Sequence, residues 1–150
     1  MVTLFALEPQ VVNDKQRALL AFICAGTSPE DPIRIMKGLF LFSKEGGVPQ
    51  SMLYEFVPYS YGPCSFAIYD DLDYLVNEKA VERLMGSRWP RYVATERGKE
   101  MNSEFEKIHS EQAARLAEIR HWVDRHRFSD LLREVYTRFP DFATKSIFRG

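Results

Sequence analysis

The sequence predicts a mainly α protein with a small β component, and three observations carry that reading. Apolar residues recur at helical spacing along most of the chain. Only two stretches read as extended: the aromatic, proline-broken YEFVPYSYGP (residues 54–63) and a strand–turn–strand between Val81 and Thr95. The composition, with 45% hydrophobic and 27% charged residues in 150, is that of a folded chain rather than a disordered one. The length fits one domain, a winged-helix-like core at about 13–100 and a helical extension at about 97–150.

The first helix lies in NDKQRALLAFICAG. Asn13 or Asp14 caps it, because their side-chain oxygens accept the free amides of the first turn. Leu19, Leu20, Phe22 and Ile23 form its apolar side, and Gly26 stops it. In TSPEDPIRIMKGLFLFSKEGG, Ser28 or Asp31 caps a second helix, and each precedes a proline suited to the first helical position. Ile33, Met36, Leu39 and Phe40 mark one face, widened by Ile35 and Phe42, so deep burial is expected. Gly62 and Pro63 are expected to form a turn after the aromatic segment. Ser65 then caps a third helix striped by Phe66, Tyr69, Leu72, Leu75 and Val76. Asp70, Asp71 and Asp73 lie in its first half, where the helix dipole favours negative charge.

Val81–Leu84 and residues 91–95 read as two strands joined at MGSRWP, and Thr95 caps the next helix. A single long helix is expected from about Arg97 to His126, striped by Met101, Phe105, Ile108, Leu116, Ile119 and Val123. At 1.5 Å per residue it would be roughly 40 Å long. Part of that stripe would then pack on the next helix, SDLLREVYTRFP, or on a second subunit, which makes a homodimer through the C-terminal helices an expectation. Pro140 ends the last helix.

The chemistry-bearing residues exclude several classes. Cys24 and Cys64 form no CxxC pair or disulfide framework and read as reduced thiols. Cys64 sits beside a helix start, yet its candidate bases His109, His121 and His126 all lie on the distant long helix. His121 and His126 are five apart and make a poor chelating pair. Phosphate-loop and dinucleotide motifs are absent. No catalytic residue, metal or cofactor is therefore expected. No apolar run is long enough for a membrane span, and the start of the chain lacks a basic signal-peptide region, so a cytoplasmic protein is expected.

Two binding surfaces remain. Net charge is −1, but residues 1–80 carry −4 and residues 81–150 carry +3, which suits a charged protein partner. Tyr54, Tyr59 and Tyr61, if exposed, would anchor such a partner. At the hairpin tip, Arg88, Trp89 and Arg91 would grip phosphates or enter a minor groove, which makes DNA the alternative ligand. The acidic third helix is a poor groove reader, since DNA affinity comes mainly from neutralising phosphates.

Two helices, an extended segment, a third helix, a basic hairpin and further helices make a winged-helix-like order. The segment YVATERGKE resembles the Y-x-L-T-x-x-G strand-to-helix junction of bacterial winged-helix proteins, with Ala94 in place of leucine. Over roughly residues 15–100, the succession IRIMKGLFLFSKEGG, YEFVPYSYGP and SFAIYDDLDYLVNEKAV resembles the Panacea domain of SocA-like antitoxins and its YwgA-like relatives. The family's Lys-Leu pair stands here as Lys37-Gly38-Leu39. The resemblance implies a cytosolic, non-enzymatic module that binds partner proteins, such as a cognate toxin, and a structural role for the Gly62-Pro63 turn.

Overall fold

A computed structural model describes residues 12–86 and 88–148. Among them are six α-helices and two antiparallel two-stranded sheets, so the protein is mainly α with a small β component. Helix α1 (Asp14–Cys24) opens with a reciprocal capping box between Asn13 and Gln16. Helix α2 (Pro32–Ser43) is capped by Asp31 and has proline at its start. Between them Glu30 exchanges both backbone hydrogen bonds with Tyr92, at 2.9 and 2.8 Å. That bridge ties the first two helices to the later hairpin. Gly38 lets α1 and α2 approach, because a Cβ there would run into the Phe22 ring.

A 3-10 turn (Gln50–Met52) leads to strands β1 (Val57–Tyr59) and β2 (Gly62–Cys64). Tyr59 pairs with Gly62, so the turn is Ser60–Tyr61, and Gly62 and Pro63 belong to the returning strand rather than to the turn. Gly62 has φ +92, a conformation that favours glycine. Its bare Cα also admits Tyr136 and the Lys37 stem, which a Cβ would meet at 3.0 and 3.2 Å.

Helix α3 (Phe66–Asn77) comes next, and its core face is Ile68, Leu72 and Leu75. The stripe expected through Phe66 and Tyr69 is wrong: both point outward, because the 68–72–75 set faces the core. Ser65 stands at the N-cap without a side-chain hydrogen bond to the helix. The helix closes in a Schellman arrangement, Ala80 N–H to Leu75 O and Lys79 N–H to Val76 O, with Lys79 left-handed at φ 62.

Strands β3 (Val81–Leu84) and β4 (Arg91–Ala94) form the wing, with Leu84 opposite Arg91. Thr95 then caps α4 (Glu96–Ile108) through the Gly98 amide. A Cβ on Gly98 would collide with the Ala80 carbonyl, which gives the T-x-x-G junction its physical reason.

The long helix expected from Arg97 to His126 is two helices. The backbone leaves helical geometry at His109 (φ −122, ψ 55), and α5 (Ser110–Asp124) begins there. The elbow lets Phe105 and Leu116 enter the same core, with both arms packed on α1. Ile108, expected in the stripe, is 69% exposed. The length argument for a second subunit, which assumed an unbroken rod, falls away. Helix α6 (Phe128–Arg138) and a 3-10 turn (Pro140–Ala143) fold back, and Leu131 and Val135 join the common core.

Candidate functional site

The hairpin β1–β2, the start of α3, the wing tip and α6 meet around one aromatic cluster. Tyr59 is 48% exposed and stands edge-on to Phe66, 52% exposed, at 5.1 Å. Val57 and Tyr69 extend this apolar surface. Tyr61 is half-buried and meets the Trp89 ring edge-on at 5.6 Å. Tyr54 is not part of it. Its ring is buried and its hydroxyl donates to Asp71 at 2.6 Å, so its expected role as an exposed anchor is corrected to that of a core residue. Burial raises its phenol, and the Asp71 carboxylate raises it further.

Trp89 does not project as a free wedge. It stacks on Phe128 at 5.4 Å and packs against Tyr61, because the core leaves an apolar ledge under the wing tip. Arg88 lies over the Trp89 ring at 4.9 Å and donates to the Tyr61 hydroxyl at 3.5 Å. Arg88 and Arg91 remain exposed. With Arg34, Asp31, Trp89 and Phe128 they line a cleft of about 320 Å³. The structure thus brings Tyr61 of the expected protein site beside Arg88 and Trp89 of the expected nucleic-acid site.

Trp89 also lines a smaller pocket of about 170 Å³, together with Tyr59, Tyr61, Tyr69, Lys37 and Cys64. Lys37 is 1% exposed. Its ammonium donates to the Pro63 carbonyl at 3.3 Å, and among the described residues no carboxylate is ion-paired with it. Burial pushes its pKa down to about 7, against weaker opposing pulls from Cys64 and Asp31. Burial pushes the Cys64 thiol up, with Lys37 acting the other way. The histidines sit elsewhere: His109 leans on Phe105, His126 on Trp122, and none lines this pocket.

The acidic character expected of α3 holds for Asp70 and Asp73, which are exposed, and not for Asp71. Asp71 turns inward to accept from Tyr54 and from Gln16 at 2.9 Å, and Asp73 is ion-paired with Arg83. Outward α3 presents Phe66, Ala67 and Tyr69 together with Asp70, Asp73 and Asn77.

A second buried cation, Arg120, is not singled out by the sequence reading, and Lys37 enters it only through the family's Lys-Leu pair. It is fully buried and donates to the carbonyls of Phe22, Ile23 and Ser28 at 3.0, 2.9 and 2.6 Å. Its single Nε hydrogen points to Asp124 at 2.8 Å, so Glu30 Oε2, 3.0 Å from the same nitrogen, receives attraction but no hydrogen. Burial raises Glu30, and a hydrogen bond to Asp124 raises it further; burial also pushes Asp124 up, but that hydrogen bond and Arg120 outweigh it and leave Asp124 lowered. Gly26 leaves the room this guanidinium fills. Both cations had one legible signal. Ile33, Met36, Lys37, Phe40 and Leu116, Ile119, Arg120, Val123 share the i, i+3, i+4, i+7 pattern, which puts each charge inside an apolar stripe.

The fold and this site define a mainly helical protein with an aromatic, cation-flanked surface. No protein-family model, curated protein or solved structure matches the chain significantly. Among the described residues no helix is long and apolar enough to cross a membrane, and no group of three side chains could hold a metal ion.

Proposed function

We propose that the protein is a non-enzymatic cytosolic module of regulatory or antitoxin type that acts by binding a protein partner. The observation that carries this reading is the outward aromatic surface of Val57, Tyr59, Phe66 and Tyr69 on two adjoining elements. Covering large rings removes apolar surface from water and gains packing contact, so such clusters form interface hot spots. The resemblance to Panacea-type antitoxins points the same way. The test is retention of host proteins on the immobilised chain. A protein held by the wild type and weakened at least about tenfold by Tyr59→Ala or Phe66→Ala supports the reading. Retention indifferent to both substitutions sinks it.

DNA binding through the wing is the second reading, favoured by the cleft that Arg34, Arg88 and Arg91 line. Arg34 is committed elsewhere, donating to the carbonyls of Val123 and His126, so the phosphate grip falls to Arg88 and Arg91. If duplex is bound, Arg88→Ala and Arg91→Ala should each lower affinity and flatten the salt slope by about one.

A further inference from the structure

Lys37 is an expensive residue without an evident structural return. A buried ammonium needs three acceptors or a counter-charge. This one has a single carbonyl at 3.3 Å. It lines, together with Tyr59, Tyr61, Tyr69 and Trp89, a pocket that adjoins the rings of the proposed partner surface. The pocket, at about 170 Å³, is smaller than the roughly 300–1,000 Å³ of small-molecule and cofactor sites. It is the size of a side chain. Beside it, Arg88 sits on Trp89, Arg91 and Arg34 line the next cleft, and the acid of that cleft, Asp31, already caps α2 and pairs with Arg34; Asp70 follows Tyr69 on α3.

We propose that the pocket receives one carboxylate side chain from an acidic segment of a partner protein, which pairs with Lys37 while the neighbouring residues lie across Trp89 toward Arg88 and Arg91. This rests on the protein-binding reading and names the chemistry the partner must carry. A terminal carboxylate on an aliphatic stem is slim enough to enter so narrow a pocket. A phosphodiester, with chain on both sides, is not, so nucleic acid is disfavoured here. The groups that face Lys37 are Cys64 of β2, Asp31 ahead of α2, Tyr69 of α3, Tyr59 and Tyr61 of the hairpin and Tyr136 of α6. None supplies a paired anion. An entering carboxylate would therefore hold Lys37 protonated, and binding would take up a proton near neutral pH.

The test needs no partner in hand. The full chain, with lysine side chains labelled at 13Cε, is titrated with N-acetyl-glutamate methylamide and with its glutamine counterpart, each to about 100 mM, a level that registers millimolar affinity. Expected is a rise of about one unit or more in the Lys37 titration midpoint with the glutamate compound only. Shifts at Tyr59, Tyr61 and Trp89 should accompany it, and all should vanish in Lys37→Met. A folded Lys37→Gln variant, checked by its circular dichroism, serves if the methionine variant misfolds. Equal response to the glutamine compound, no response, or a stronger response to inorganic phosphate each overturns the proposal. Because the probe is a single residue, the outcome is separate from the partner-capture test. A partner lost on Tyr59→Ala with a silent glutamate titration keeps the interface and removes the pocket.

Discussion

Two cations are buried in this molecule, and their surroundings differ. Arg120 is enclosed by three backbone carbonyls, Asp124 and Glu30, and it staples α5 to the end of α1. Lys37, on α2, has one carbonyl and an aromatic pocket beside it. A satisfied buried charge holds a fold together, whereas an under-satisfied one is a cost that needs a reason outside the fold. The contrast is what separates a structural cluster from a candidate site in a chain with many titratable residues.

The comparison can be broken most severely at Arg120. Arg120→Met removes donors from three buried carbonyls and the counter-charge of Asp124. Urea denaturation should show a loss of about 3–5 kcal/mol. A loss under about 1 kcal/mol would mean that the staple contributes little and the contrast is empty.

Next in size is the opposite effect at Lys37. Its amine falls from an ordinary 10.5 to about 7 on folding, so between those pH values the unfolded chain binds more protons. Stability from this group therefore rises with pH through that window and is least below it. Lys37→Met should gain about 1–3 kcal/mol at neutral pH and flatten the rise, read from denaturation midpoints across the window. A destabilised methionine variant with the slope intact would show that the ammonium is at home where it sits.

The smallest effect is expected at Glu30. Because Glu30 is raised and Asp124 lowered, one proton sits between them at neutral pH. Glu30→Gln keeps a neutral, hydrogen-bonding side chain there and should change stability by no more than about 1 kcal/mol. A much larger loss would mean that Glu30 is ionised and part of the charge staple.

Local signals are legible in the chain and long-range ones are not. Asn13, Asp31 and Thr95 cap their helices as expected, because a cap depends on residues within one turn. The two strands of the later hairpin also fall on either side of MGSRWP, as the sequence reading expects. The break at His109 has no proline or glycine to announce it; it arises because Phe105 and Leu116 must both reach α1. Tyr54 resembles its neighbours Tyr59 and Tyr61, and only the reach of Asp71 from α3 distinguishes it. At the site, Tyr61 and the Arg88–Trp89 pair each stand out alone. Their meeting depends on Phe128, some forty residues further along, and no local pattern encodes that contact.

The elbow at His109 sets how the chain can be taken apart. Its two arms both grip α1, and α1 presents Leu19, Leu20 and Phe22 to a core that both arms complete. Severing the polypeptide at the elbow would yield two fragments, each lacking the cover that the other provides. They would be complementary pieces that regain a shape only when mixed.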